Sequence, residues 1–307
     1  GRLYLEASLM QWEAWDAIGL LPDRFNALMG GHQPVIETQP PGWRQRLRQL
    51  ARTLGYLHKA QAMGKRGDAE VAAAHALARE VRALPLPEDN AAIRDLLLRL
   101  LRPARESLGM FFLQGSGGGS LSLLLDTLER RYPGESAAIG AALLAGGEPS
   151  VTAAQGYALL ALAQQAAEEA GSPQNSPTFA AALARFMAQY GHRGHYETYL
   201  RSPRYHEQPE SILAQLPALA EVDGEALRAR QLASAEAAWA RLKGEQPWWL
   251  RLILRAQVKA ANRDSNRREA ARSAMIALLA AGRHLWLQIG ARHVAEGGLA
   301  LAEEIFH

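Results

Sequence analysis

The stretch from Ser176 to Glu197, SPTFAAALARFMAQYGHRGHYE, sets the reading of the whole chain. Ser176 followed by Pro177 is a helix start: the serine side chain can accept a free backbone N–H, and proline lacks the N–H that the first turn would leave unpaired. Gly191 is the matching stop. Between them Phe179, Leu183, Phe186, Met187 and Tyr190 recur at helical spacing and make one apolar side. A polar turn, Gly191-His192-Arg193-Gly194, follows at once. An apolar-faced helix that ends in a compact, glycine-flanked polar turn is the pattern from which the rest of the sequence is read.

The same period extends in both directions. Trp43, Leu47, Leu50, Leu54 and Leu57 form an apolar stripe, and residues 68–83 continue in alanine-rich, helix-favouring sequence until Pro85 and Pro87. Ile93, Leu96, Leu97, Leu100 and Leu101 repeat the pattern. Helices are predicted over 121–131 and 136–145, and from a Thr152/Gln155 capping box to about Glu169. A short helix opens at Pro209 with Ile212, Leu213 and Leu216, and another follows Gly224 to about Lys243. From Pro247 onward there is no proline. A single straight helix over 247–296 would reach roughly 75 Å, so a bend or break is expected near 263–266 or at Gly282. Period-2 alternation is confined to Leu3-Tyr4-Leu5 and the stretch 34–38. The predicted fold is all-α: an irregular multi-helix bundle with a long C-terminal helix, its bending left open, and at most a short extended segment near the N-terminus. The run Gly115-Ser116-Gly117-Gly118-Gly119-Ser120 reads as a flexible linker, or as a loop whose bare backbone approaches a ligand. It lacks the Lys-Ser/Thr of a nucleotide P-loop. Residues 1–307 are taken as one helical domain cut from a longer protein, with a subdivision into 1–114 and 121–307 left open.

Composition narrows the classes. Of 307 residues, 48% are hydrophobic and 21% charged, enough apolar material to exclude disorder as the main state. The 34 basic residues against 31 acidic ones give +3, too small and dispersed a charge to suggest nucleic acid. Only Lys59, Lys65, Lys243 and Lys259 are lysines; all other basic residues are arginines, suited to carboxylate and phosphate recognition. The absence of cysteine excludes disulfides, thiolate catalysis and cysteine metal sites, and fits a reducing, cytoplasmic setting. The uncharged run from Pro149 to Ala167 is interrupted by Gln155, Gly156, Gln164 and Gln165, so no membrane span is predicted there, and no signal peptide is evident.

Three groups of residues could carry chemistry. In the turn and its continuation, His192 is a candidate general base for an acceptor hydroxyl, having an ordinary pKa of about 6.5. Arg193 and Arg204 could offer paired N–H donors to a phosphate oxygen. His192, His195, Glu197 and His206 also admit a metal reading, at spacings unlike known zinc motifs. The structural alternative pairs Arg193 and Arg204 with Glu197 or Glu207, pinning an irregular loop to the helices. In the second group, Arg263 and Arg267 lie one turn apart on a helix: an anion clamp if that face meets a cleft, a solvated charge run if it meets water. The third is Trp248-Trp249, an internal contact or an apolar wall for a large ligand. No nucleophile elbow, no strand-linked GxGxxG and no catalytic carboxylate pair is present.

Four segments, taken together, resemble the middle region of phosphoenolpyruvate-synthase-like proteins, above all the rifampin phosphotransferases. They are Gly1-Arg2-Leu3-Tyr4-Leu5 with the later Gly30-Gly31; Gly191-His192-Arg193-Gly194 with Glu197, Ser202-Pro203-Arg204 and Glu207-x-Pro209; Arg263-Asp264-Ser265-Asn266-Arg267; and Glu303-Glu304-Ile305-Phe306. The resemblance implies a helical module that binds a hydroxyl-bearing acceptor. It works between an ATP-grasp domain, which binds ATP and Mg, and a swivelling domain whose phosphohistidine delivers the phosphoryl group. Neither of those domains, and no cofactor, is expected within residues 1–307. The resemblance places Arg263 and Arg267 near the transferred phosphoryl and His192 as its candidate base. Arg193, Glu197, Arg204, Trp248 and Trp249 would then meet a rifamycin-like or other small-molecule acceptor in an apolar cleft. His195-Tyr196 and Thr198-Tyr199-Leu200 depart from the family pattern, which leaves the acceptor's identity open. The competing expectation is a structural connector of a phosphoenolpyruvate-synthase-like enzyme with no ligand of its own. Neither membrane nor nucleic acid is expected as a partner.

Overall fold

The computed structural model describes residues 6–28, 31–39, 41–169 and 176–307. Helix accounts for 76% of the residues, and no strand occurs among the described residues, so the all-α expectation holds. The chain divides into two compact units, Gly1–Arg66 and Gly67–His307.

The first unit contains α1 (Ala7–Ile18), α2 (Pro22–Leu28) and the opening turns of α3 (Trp43–Ala83). Gly19 takes a left-handed φ of 72° and closes α1. The stretch 34–38, read from its alternation as a candidate strand, has no regular secondary structure and joins no sheet. The buried Gln11 side chain holds it instead, donating to Pro34 O (2.8 Å) and accepting from Ile36 N (3.0 Å). Gln49 does the same for the end of α1, donating to Trp15 O at 2.8 Å. Leu3-Tyr4-Leu5 and Gly30 lie outside the described residues. The Trp43, Leu47, Leu50 and Leu54 stripe is present on α3 but exposed, so here helical periodicity does not mark a core.

The second unit holds the rest of α3, then α4 (Asn90–Glu106), α5 (Leu108–Glu129), α6 (Ser136–Ala145), α7 (Val151–Glu168), α8 (Pro177–Tyr190), the short α9 (Glu210–Leu213) and α10 (Leu216–Leu219), α11 (Gly224–Glu245), α12 (Trp248–Ala295) and a closing 3-10 turn, Ala302–Phe306. The helix α12 has 48 residues and is unbroken, about 72 Å at 1.5 Å per residue. The helix does not break at either expected place, because α12 is supported on both halves. Leu250, Leu254, Val258 and Ala261 enter one core with Leu124, Leu128 and Leu143. Ala271, Ala274, Leu278 and Leu285 enter another with Ala74, Val81, Leu100 and Met110. The polar run 262–269 spans the gap between these cores, and Gly282 costs only about 1 kcal/mol in a helix interior. A third core joins Phe179, Phe186 and Tyr190 of α8 to Leu162, Ala163, Ile212 and Leu216, as the spacing within Ser176–Gly191 predicts.

Two local expectations are corrected. The glycine-rich stretch 115–120 is neither linker nor loop: it lies within α5, where Ser120 donates to Asp264 of α12. Glycine is weak in helices but not forbidden, and packing of α5 against α12 overrides its propensity. The N-cap of α7 is Ser150, which accepts from Ala153 N; Thr152 instead donates to Glu269 at 2.9 Å. Two helices, Leu108–Glu129 and Trp248–Ala295, are long and apolar enough to cross a membrane by length and composition. Half of the apolar window in α12 is buried against its neighbours.

Candidate functional site

The site is built on the segment that follows α8. Gly191 caps that helix, its N–H bonding to Met187 O at 2.8 Å. The chain then runs out and doubles back, so that Tyr205 N donates to Arg193 O (2.8 Å) and His206 N to Gly191 O (3.1 Å). Both flanking glycines are needed for this close return. A Cβ at Gly191 would lie 2.3 Å from Met187 O, and one at Gly194 would lie 2.5 Å from Pro203 O. At the tip Tyr196 adopts φ 51°, a left-handed conformation uncommon for a bulky side chain, and is exposed.

Consecutive residues of this turn serve two different cavities. His192 lines a cavity of about 280 Å³ with His75, Arg79 and Arg82 of α3, Gln189 and Tyr190 of α8, and Ser273 of α12. Arg193 lines a second cavity of about 440 Å³ with Gly194, His195, Tyr196, Glu197, Thr198 and Tyr205 of the turn, Thr152, Gln155 and Leu159 of α7, and Arg272 of α12. The partition repeats along the other walls: Val151 belongs to the first cavity and Thr152 to the second, as Ser273 does to the first and Arg272 to the second. Adjacent residues on a helix or tight turn point in different directions, so one thin wall separates two chemically distinct hollows.

Several sequence-predicted residues meet here. Arg193 and Glu197 are both buried and form a two-pronged ion pair, Nε to Oε2 at 2.6 Å and Nη2 to Oε1 at 3.1 Å; Arg272 adds a contact to Oε1 at 3.3 Å. Arg193 Nη1 is buried without a hydrogen-bond partner. His192 Nε2 is hydrogen-bonded to Ser273 Oγ at 3.1 Å, and its ring packs edge-on against His75. Burial, reinforced by the positive charges around it, pushes the His192 pKa down to about 3, so the imidazole is neutral at physiological pH. Arg204 is 1% exposed, and only its Nη2 finds a partner, Tyr199 O at 3.4 Å; Nε and Nη1 have none. Glu207 does not pair with the Arg204 guanidinium. It accepts from the Arg204 backbone N–H and takes its main charge partner from Arg283, at 2.7 and 3.1 Å. Arg283, 3% exposed, also donates to the carbonyls of Leu200 and Arg201.

The remaining candidates lie elsewhere. Arg263 is 54% exposed and pairs with Asp264 at 2.9 Å, while Arg267 is 20% exposed and pairs in two-pronged fashion with Asp68. Neither lines the two cavities. Trp248 and Trp249 are exposed and line neither cavity; with Leu252 and Ile253 they make an exposed apolar surface at the start of α12. His195 packs edge-on against Tyr205, and His206 Nδ1 donates to Gly191 O, so the residues of the metal reading are engaged separately. Among the described residues no three His, Cys, Asp or Glu side chains are gathered to hold a metal ion. Sequence reasoning did not single out His75, Arg79, Arg82, Arg272, Ser273 or Arg283. Arg283 had a visible signal, a lone charge within the apolar run 274–287. The α3 residues had none, because nothing local says which face of an alanine-rich helix meets α12.

An all-α domain whose glycine-flanked His-Arg turn divides two polar cavities defines the class. Residues 114–269 match the rifampicin phosphotransferase fourth-domain family, and the chain belongs to that family. The matched region contains the turn, Arg263 and Arg267, but not the α3 wall of the first cavity or Arg272 and Ser273. A comparison with curated proteins gives no match.

Proposed function

We propose that this domain is the acceptor-binding module of an ATP-dependent phosphotransferase of the dikinase type, and that the acceptor occupies the 440 Å³ cavity. The carrying observation is its lining. Tyr196, Tyr205, His195 and Leu159 offer aromatic and apolar walls, while Thr152, Thr198, Gln155 and the Arg193–Glu197–Arg272 group offer donors and acceptors. That mixture, more polar than the apolar cleft with a basic rim expected from the sequence, suits a hydroxyl-bearing small molecule, a rifamycin or another.

In the reaction the acceptor hydroxyl oxygen forms a bond to phosphorus as the phosphorus–nitrogen bond of a phosphohistidine on another domain breaks. The hydroxyl proton leaves to a base. ATP and Mg belong to a further ATP-grasp domain that charges the histidine. His195 lines the acceptor cavity and would be the imidazole that takes the proton there. His192 faces the other cavity, and an imidazole whose pKa is near 3 is a poor proton acceptor. Arg263 and Arg267 would act on the incoming phosphoryl only by exchanging Asp264 and Asp68 for its oxygens. The test is calorimetric titration of rifampicin into the chain and into Tyr205→Ala and Arg272→Ala variants. Saturable binding that weakens by about tenfold in either variant supports the reading; unchanged affinity in both removes the acceptor from this cavity.

A structural connector is the second reading. It is favoured by the buried Arg193–Glu197 pair, which braces the turn internally, and by the Arg272–Glu197 and Arg283–Glu207 pairs, which clamp it to α12 without any ligand. Absence of any rifamycin or small-alcohol binding would favour it.

A further inference from the structure

The cavity on the other side of the wall has a different character. On α3, His75, Ala78, Arg79 and Arg82 fall at helical steps of three and four and share one face. Opposite them stand Ala270, Ser273 and Ala277 of α12, with Ala188 and Gln189 of α8 and His192 of the turn. The hollow exists because the facing positions carry alanine and serine; the long cationic side chains stand around space that larger residues would have filled. Its lining includes two guanidiniums, two imidazoles, the Ser273 hydroxyl and the Gln189 amide, and no carboxylate. Among the described residues Arg79 and Arg82 make no side-chain hydrogen bond or ion pair. The nearest acid to act on Arg82 is Glu207, whose two oxygens are already held by Arg283.

From this geometry we infer that the cavity between α3, α8 and α12 is a binding site for a phosphate group, free or as a monoester, held by Arg79, Arg82, His75 and the His192–Ser273 pair. Guanidiniums without a carboxylate partner, at the rim and wall of a partly open hollow, can bind tetrahedral oxyanions through paired, charge-assisted N–H donors. Two guanidiniums stand here with no carboxylate among the lining residues, and two neutral imidazoles beside them can donate as well as accept, a set that an oxyanion would complete. Burial and then the Arg79 charge lower the His75 pKa, and burial followed by His75, Arg193 and Arg82 lowers that of His192. The groups facing the two imidazoles are Arg79 and Arg82 from α3, Arg193 and His206 from the turn, and Ser273 from α12. A bound dianion would reverse the sign of the field on both rings. The cavity is larger than phosphate alone, leaving room for the carbon portion of a small monoester. This inference does not depend on where the acceptor binds, since the two cavities share no lining residue.

The experiment titrates inorganic phosphate, and separately phenyl phosphate, into the purified chain at neutral pH, following histidine ring protons by NMR and the heat by calorimetry. Saturable binding that shifts His75 and His192 signals, and that weakens by about tenfold or more in Arg82→Gln and Arg79→Gln, is the expected result. Tighter binding of phenyl phosphate would identify a monoester as the ligand, and equal binding would identify the free anion. Arg79 is exposed, so its replacement leaves packing intact, and far-UV circular dichroism checks the fold. Linear, non-saturating shifts, or equal affinity in wild type and both arginine variants, would overturn the assignment. So would weakening of the same size by Arg267→Gln, which would place the anion elsewhere. Because Arg79 and Arg82 do not touch the acceptor cavity, loss of phosphate binding with rifampicin binding retained separates this site from the functional reading above.

Discussion

Replacing His192 with glutamine should make the second unit less sensitive to acid, by an amount that follows from burial. In the unfolded chain the imidazole titrates near 6.5; in the folded protein its pKa lies at about 3. A basic group with a depressed folded pKa binds fewer protons in the native state at every intermediate pH. Its contribution is therefore intact above 6.5, falls as pH decreases below 6.5, and levels off below the folded value. At pH 7.5 the cost is about 0.1 kcal/mol, while at pH 5 the unfolded state gains about 2 kcal/mol from protonating this one ring. Because pH 5 lies well above the folded value, that loss is set almost wholly by the unfolded pKa. Glutamine keeps a neutral polar group beside Ser273 but cannot be protonated. Urea unfolding at the two pH values, followed by far-UV circular dichroism, should show the wild type losing about 2 kcal/mol more than the variant. His75, His206 and His284, whose pKa values are also lowered by burial, remain in both proteins and cancel in the difference. Equal pH dependence in wild type and His192→Gln would refute the claim that this imidazole is buried and neutral.

Two further outcomes follow from packing. Gly67→Ala places a methyl 2.6 Å from Leu113 Cγ and 2.8 Å from Gly109 O, where α3 crosses α5. Since one of those atoms is backbone, the helices must separate, and thermal unfolding should show a loss of about 1–3 kcal/mol despite alanine's better helix propensity. Arg283→Ala strips Glu207 of its charge partner in a buried setting and should cost about 3–5 kcal/mol, whereas Arg283→Met combined with Glu207→Gln should recover most of that loss in a denaturant titration.

The elements whose boundaries were legible share a feature: their signals are local. Ser176, Pro177 and Gly191 bracket α8 because capping is decided within one turn, and Phe179, Phe186 and Tyr190 are buried as their spacing implies. The errors occur where a neighbour outweighs local preference. Glycines at 115–120 are helical because α5 lies along α12, and α12 stays whole because separate cores support its two halves. The Trp43–Leu54 stripe is periodic yet exposed, since period reports amphipathicity and not what covers the apolar face. In the same way, Arg263 and Arg267 are one turn apart as read, but spacing does not say that Asp264 and Asp68 would occupy them.

The sequence by itself determined the helical class, the stops and starts around the Gly-His-Arg-Gly turn, and the family to which the chain belongs, because these depend on residues near one another in the chain. Only the tertiary structure decided that His192 and Arg193 face opposite ways into separate cavities, and that Arg79 and Arg82 join the first. That outcome requires α3 and α12, some 200 residues apart, to meet on small side chains. Which faces meet depends on the packing of the whole second unit, and no short stretch of sequence encodes it.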